Sequence, residues 1–472
     1  MPSCTQAINT KNTSLYDIVI IGAGLVGCAM ARKFTLEGAR VMVLEKASDI
    51  LEGASKGNSA ILHTGFDAPP DSIEQSCIAD NYQQYLALAK KFNLPILKTS
   101  ALVLAWTTEE QDLLEGILEK AHYNGVKNTE ILSADVILKK EPALAKHLKA
   151  GIHVPHEYVI DPWTTPFMYL LQAIENGASI MRDCEVLDSQ FEGDKWQINT
   201  SKGRILATTV INCAGLYGDI VDQRFIGSSA FNIRPRKGQF WVYDTPAYAL
   251  LKSIILPVPN DITKGVVICR TAFGKVLVGP TAEEQISRDD ASVQQEALEM
   301  LRAKGESMLP ALANVPVNAT YAGIRPATEF KDFCIKHYTD QHYISVGGIR
   351  STGLSAALGI ASRVFQRYAD DGHSHTPLKD IHSPKVQQIS DVSARDWQAS
   401  GNEGIVCHCE RVTAREIKTA LTGVLPVASL NGLKRRTRVT MGRCQGFYCQ
   451  AKANSLLNQQ MEKRIKKETQ ND

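Results

Sequence analysis

The first strand-like run, Asp17-Ile18-Val19-Ile20-Ile21, enters a glycine turn, and the segment from Leu25 to about Leu36 then carries helical spacing. A second short run, Val41 to Leu44, completes a βαβ unit. Later β-rich runs at Thr209 to Cys213 and Tyr343 to Val346 lead into glycines, as parallel strands do when they feed a ligand crevice. These runs lie far apart along the chain, so the nucleotide domain is expected to be discontinuous. Between them, Ser100 to Trp106, Val154 to Val159, Gln239 to Tyr243 and Lys275 to Val278 supply a second sheet, placed over the crevice to hold a substrate. From about Asp371 to Asn402 the chain turns polar and loses apolar period, which reads as a linker. A compact stretch follows, with helical period at Ala414 to Leu421 and again beyond Cys449, and the basic run Lys463-Arg464-Ile465-Lys466-Lys467 reads as a solvated helix end. The expected organisation is a flexible tail (1–15), a large α/β unit (16–370), a linker (371–402), a small helical module (403–460) and a basic tail (461–472).

A length of 472 residues agrees with more than one core. The formal charge of +2 excludes a nucleic-acid footprint, which leaves small molecules and proteins as partners. The longest apolar runs fall well short of the roughly 20 residues that cross a bilayer. Residues Met1 to Leu15 are polar and lack the apolar core of a secretory signal. Eleven cysteines, an odd number, point to a reducing compartment, so the cytoplasm is expected. Seven of them are scattered from Cys4 to Cys334, while four crowd between Cys407 and Cys449.

Gly22-Ala23-Gly24-Leu25-Val26-Gly27 follows a strand and opens a helix, and Glu45 ends the next strand. Gly22 permits the tight turn, Gly24 the approach of amides to a pyrophosphate, and Gly27 close packing of helix on strand, while Glu45 can accept ribose hydroxyls. The motif alone leaves FAD and NAD open. With Gly57-Asn58-Ser59, His63-Thr64-Gly65 and Cys213-Ala214-Gly215-Leu216-Tyr217-Gly218-Asp219, the chain resembles the D-amino-acid oxidase superfamily of FAD enzymes. That resemblance implies a Rossmann-like FAD-binding domain with an inserted mixed-sheet substrate domain and one tightly held FAD. It implies cofactor contacts from Gly22, Gly24, Gly27, Glu45, Lys46, Ser55, Asn58, Ser59, Val186, Ala214, Gly215, Gly348, Thr352, Gly353 and Leu354.

Cys407-His408-Cys409 is followed, after 34 intervening residues, by Cys444-Gln445-Gly446-Phe447-Tyr448-Cys449. Four thiolates in two close pairs suit either [2Fe-2S] or zinc, and spacing does not choose. With the lead-in Thr437-Arg438-Val439-Thr440-Met441-Gly442, the stretch is similar to the bacterioferritin-associated ferredoxin-like domain, which implies [2Fe-2S] on Cys407, Cys409, Cys444 and Cys449. An FAD domain followed by this module resembles the large subunit of anaerobic glycerol-3-phosphate dehydrogenases across about residues 16–455, and the FAD part also resembles L-2-hydroxyglutarate dehydrogenases. Electrons would then pass from substrate to FAD and through the iron to an acceptor protein, partner subunits or quinone. Contact with a membrane would be peripheral and made through a partner.

The resemblance places His63 beside the flavin as the base that takes a hydroxyl proton while hydride leaves carbon. A core histidine and a covalent flavin link are the other readings of that residue. Glycerol-phosphate enzymes carry an arginine after the His segment and Gly-Gly-Lys near the end of the domain, whereas this chain has Phe66-Asp67 and Gly347-Gly348-Ile349-Arg350. The run Phe66 to Ser72 and Glu141-Pro142 resemble hydroxyglutarate enzymes instead. Arg325 and Arg350 are the candidate anion holders, since a guanidinium grips a carboxylate through two bonds. Ser351-Thr352-Gly353-Leu354 opens a small-residue helix, Ser355 to Ile360, whose first amides would stabilise negative charge at the flavin's pyrimidine edge. The reading is an FAD-dependent dehydrogenase oxidising the CH–OH group of a 2-hydroxy acid or of glycerol 3-phosphate, with the residues around His63 and Gly348 fitting a carboxylate better. An imino- or amino-acid dehydrogenase subunit and a non-catalytic electron-transfer subunit are the alternatives.

Overall fold

The computed structural model describes residues 15–259 and 265–468. Most of the expected N-terminal tail and the last four residues of the expected basic tail lie outside the described residues. Leu15, placed in that tail by the sequence reading, instead begins the first strand, Leu15–Ile21.

That strand is central to an eight-stranded sheet. It pairs in parallel with Val41–Leu44 on one side and Gly203–Asn212 on the other, and the latter pairs in parallel with Tyr343–Gly347. Every residue of Val41–Leu44 is buried, as expected for a parallel strand covered on both faces. One face is covered by the helices Leu25–Leu36, Ile73–Phe92, Thr164–Glu175 and Gly353–Asp370. Small residues in the last of these have a steric reason. A Cβ on Gly359 would lie 2.1 Å from the Cys77 carbonyl oxygen, so the two helices cross backbone against backbone. The other face carries Trp196, Phe225 and Tyr343.

A second, nine-stranded mixed sheet is built mainly from the segments between those strands, including Ala101–Ala105, Ala150–Val154, Arg234–Tyr243, Val276–Gly279 and Val317–Ala327. The run Val154 to Val159, read as one strand, is two. Ala150–Val154 belongs to this sheet, whereas Tyr158–Ile160 joins a small three-stranded sheet with Ile61–Leu62 and Ile96–Leu97. Pro155 has no amide to continue the ladder, so the chain turns there and changes sheets.

Between the Gly353–Asp370 helix and the C-terminal module, the only regular element is the 3-10 turn Asp396–Gln398. The segment is nevertheless held at several points. Leu378 donates its amide to Leu36, Asp391 donates to Ala272, and Arg438 reaches the Ile389 carbonyl. The module consists of a short hairpin and the helices Ala414–Thr422, Leu430–Thr437 and Gln450–Glu468 around their own core. Thr413 and Glu416 form a capping box at the start of the first helix. The basic run lies in the last turns of the third, and Arg464 there donates to the Val427 carbonyl.

The module is docked through buried charge. Asp49, fully buried in the FAD-side unit, meets Arg436 at 2.6 Å, and Glu52 meets Arg435 at 2.7 Å. Gly432 is required at this contact, because a Cβ there would stand 1.8 Å from the Asp49 carboxylate.

Candidate active site and cluster module

The glycine turn, the Gly53–Ser59 loop, the start of the Gly353–Asp370 helix and the Val317–Ala327 strand enclose one cavity of about 1060 Å³. Gly22 sits at φ +100°, and a Cβ on it would approach the Cys213 carbonyl to 2.7 Å. Gly24 also lines the cavity, whereas Gly27 does not. A Cβ on Gly27 would lie 1.9 Å from the Gly22 carbonyl, so this glycine acts behind the wall by letting helix and strand close. Glu45 lines the cavity and accepts the amides of Ala23 at 2.7 Å and Ala47 at 2.9 Å, which fix its carboxylate. Burial raises its pKa against those two amides. Ser55 accepts the Leu25 amide, so it holds the helix start as well as lining the wall. Asn58 is spent on its own loop through the Ala60 amide and the Ser55 carbonyl. Lys46, Ser59, Val186, Ala214 and Gly215 complete this half, with the Lys46 ammonium 3.3 Å from the Tyr217 ring centre.

At the other end, Gly348 has φ +70° and Thr352, Gly353 and Leu354 open the second helix onto the cavity. Thr352 donates its hydroxyl to Glu74 at 2.7 Å and does not cap the helix, so the first-turn amides face the cavity without a side-chain partner from that position. Two helix starts, an acid placed for ribose and glycine turns that admit no side chain fit a flavin dinucleotide.

His63 lines the same cavity. Its Nδ1 lies 2.8 Å from Glu157 Oε2, and the other oxygen of that carboxylate accepts the Thr64 amide and hydroxyl at 2.6 and 2.7 Å. Glu157 is fully buried. With Nδ1–H donated to the carboxylate, the lone pair belongs to Nε2. The His63 amide is itself fixed by the Ser355 hydroxyl at 2.8 Å, which ties the base to the small-residue helix.

Arg325 and Arg350 both line the cavity. Burial, helped by neighbouring Arg236, lowers the Arg325 pKa to about 10, so it remains a cation at neutral pH. Arg236 faces Arg325 in register across the sheet and is paired with Glu284 at 2.8 Å. Arg350 stands 3.8 Å from the buried Glu74. Phe66 and Asp67 are on the wall as well. Glu141, by contrast, accepts the amides of Lys252 and Ser253 away from the cavity, which makes its role architectural.

The four clustered cysteines come together in the module. Cys409 Sγ lies 3.6 Å from Cys444 Sγ, and Cys407 pairs with Cys449. Backbone amides of the loop, that of Tyr448 foremost, draw the Cys444 pKa down, and the Phe447 amide donates to the Cys444 carbonyl. Thr440 is held at φ +70°, costly for a β-branched residue, and its amide is turned toward Cys449. A Cβ on Gly442 would lie 2.2 Å from Cys409 Cβ, so the two cysteine loops close only around glycine. Among the described residues no three side chains of His, Cys, Asp or Glu close on a single metal-ion position, and the sulfurs stand as two pairs. Thiols in two pairs with amides aimed at sulfur fit a two-iron cluster.

Of the sequence candidates on the FAD side, all except Gly27 line the one cavity. Glu157 was missed. The only signal for it was its place in a polar interruption of an apolar run.

The chain belongs to the FAD dependent oxidoreductase family, whose model matches residues 17–367, and residues 405–459 match the BFD-like [2Fe-2S] binding domain. The protein is thus an FAD-dependent oxidoreductase that also carries a [2Fe-2S] module. Along its length it is similar to a glycerol 3-phosphate dehydrogenase of Caloramator mitchellensis, 29% identical over 456 residues and covering 95% of each chain. It is similar over 58% of its length to an L-2-hydroxyglutarate dehydrogenase of Indibacter alkaliphilus, at 29% identity and 69% of that chain. The FAD-bound, dithionite-reduced L-alpha-glycerophosphate oxidase of Mycoplasma pneumoniae superimposes with a TM-score of 0.72, at 25% identity, over 78% of this chain and 98% of that one. Among the described residues no helix is long and apolar enough to cross a membrane.

Proposed function

We propose that the protein oxidises the CH–OH group of a small hydroxylated anion to a carbonyl, and that the electrons leave through the cluster to a protein acceptor. The observation that carries the reading is His63, held by the buried Glu157, on the wall of a cavity that also bears Arg325 and Arg350. The arginines hold the anion and so orient the reacting carbon. His63 takes the hydroxyl proton at Nε2, while Glu157 keeps Nδ1 protonated and stabilises the imidazolium that forms. The bound FAD supplies the hydride acceptor and the cluster a one-electron outlet. Cys407, Cys409, Cys444 and Cys449 would hold the iron.

Glycerol 3-phosphate is the first substrate to test, because a relative similar along the whole chain is named for it. A 2-hydroxy acid is the second reading, favoured by Asp67 on the cavity wall, where a carboxylate is repelled less than a phosphate dianion. Anaerobic bleaching of the flavin by glycerol 3-phosphate, L-2-hydroxyglutarate, lactate, malate and proline derivatives separates these cases. A hydroxylated anion should bleach wild type rapidly and His63→Ala slowly. Bleaching by an amine alone, unaffected by His63→Ala, would overturn the proposal, and so would bleaching by none of the panel.

A further inference from the structure

The C-terminal module displays a feature that neither its core nor its docking contacts use. Phe447 and Tyr448 are 84% and 81% exposed, well above the next such ring among the described residues, Tyr123 at 66%. The two rings meet edge to face with centroids 5.0 Å apart. They occupy the loop between Cys444 and Cys449, where the Phe447 amide donates to the Cys444 carbonyl and the Cys449 amide to the Gly446 carbonyl. The loop thus turns between two of the clustered cysteines while both rings face solvent. Cys409, 3.6 Å from Cys444, is exposed beside them.

The exposed charge in the sequence that flanks this tip is positive. Within residues 407–411 and 441–452 the exposed charged residues are Arg411, Arg443 and Lys452, of which Arg443 is paired with Asp244, and the one acid, Glu410, is buried against Arg438 and Lys275. Exposed aromatic surface rimmed by charge marks an association site, and aromatics serve as its anchors.

We propose that the Phe447–Tyr448 tip is the docking surface for an acidic electron-carrier protein that takes one electron at a time from the cluster. The inference rests on the proposed function for its source of electrons. Oxidation of one CH–OH to C=O releases two electrons and two protons. The electrons leave singly, each reducing one oxidised carrier, so two carriers are reduced per substrate. The protons pass to His63 and solvent.

The test uses the holoenzyme, with an acidic [2Fe-2S] ferredoxin and the basic cytochrome c as probes. Binding is measured by calorimetry at low and high salt, and carrier reduction is followed beside reduction of a small dye. The ferredoxin should bind, bind less tightly at high salt, and outcompete cytochrome c. Phe447→Ala/Tyr448→Ala should weaken ferredoxin binding by about tenfold or more, with flavin bleaching and dye reduction unchanged. Lys452→Glu, on the rim, should weaken ferredoxin binding without removing a ring. Ferredoxin binding that is absent, unaffected by the double substitution, or matched by cytochrome c overturns the docking surface. Calorimetric binding does not depend on turnover. Failure of substrate to bleach the wild-type flavin would therefore sink the proposed function separately.

Discussion

Replacing Glu157 by Gln keeps the volume of the side chain and changes which of its atoms can accept. In the native protein one carboxylate oxygen takes both Thr64 donors, at 2.6 and 2.7 Å, and the other takes His63 Nδ1–H at 2.8 Å. A glutamine offers one oxygen and one NH₂. If its oxygen stays with Thr64, the NH₂ faces Nδ1, which must then accept, and the imidazole proton moves to Nε2. The reverse orientation sets the NH₂ against the Thr64 amide and leaves a buried donor unmade, at about 1–3 kcal/mol. The first arrangement therefore wins, and it is the wrong tautomer for a base at Nε2. Losing general-base action should slow flavin reduction by about a hundredfold to ten-thousandfold. The lost charge-assisted bonds should cost folding stability by roughly 1.5–3 kcal/mol. The assay is anaerobic stopped-flow reduction of the flavin by saturating substrate. Because His63→Ala removes the same function, the double variant should be no slower than His63→Ala alone. A Glu157→Gln enzyme within about threefold of wild type, or effects that simply add, would refute the reasoning.

Arg325→Met should raise KM by about tenfold to a hundredfold, the loss of one charge-assisted grip on the anion, with a smaller change in kcat, and steady-state kinetics with a small dye would separate the two. Gly27→Ala puts a Cβ 1.9 Å from the Gly22 carbonyl, so the helix must shift by an amount costing about 1–3 kcal/mol, and the flavin content of the purified protein should fall. Asp49→Ala leaves Arg436 buried without its 2.6 Å partner, a loss on the order of 3–5 kcal/mol, and calorimetry should show the module melting apart from the FAD unit. Cys409→Ser should abolish the cluster's paramagnetic signal and slow delivery to a protein acceptor while leaving substrate bleaching of the flavin in place.

The βαβ turn was legible because each of its requirements is local. Gly22, Gly24, Gly27 and Glu45 are set by turn geometry, helix packing and the end of the next strand, all within one short stretch. The four cysteines were legible for a similar reason, since thiol pairs have few other uses in this pattern. Glu157 was not. Its contact with His63 crosses 94 positions, and it stands at a corner where Pro155 sends the chain from one sheet to another, inside a run read from the sequence as one strand. The contacts of the 371–402 segment were equally hidden, because they are made largely by backbone groups and by arginines such as Arg438 from elsewhere in the chain. Glu141-Pro142 carries a resemblance to hydroxyglutarate enzymes whose local role the sequence did not show. Glu141 accepts the amides of Lys252 and Ser253, just ahead of the Ile254–Pro257 strand.

The central claim is that a hydroxylated anion reduces the flavin and that the electrons then reach the cluster. An anaerobic titration with the substrate that bleaches the flavin, followed by optical and electron paramagnetic resonance spectroscopy on the same sample, tests it most directly. The expected result is loss of the oxidised flavin spectrum together with the signal of a reduced [2Fe-2S] cluster, both without added dithionite. A bleached flavin beside a cluster that stays oxidised until dithionite is added would contradict the account.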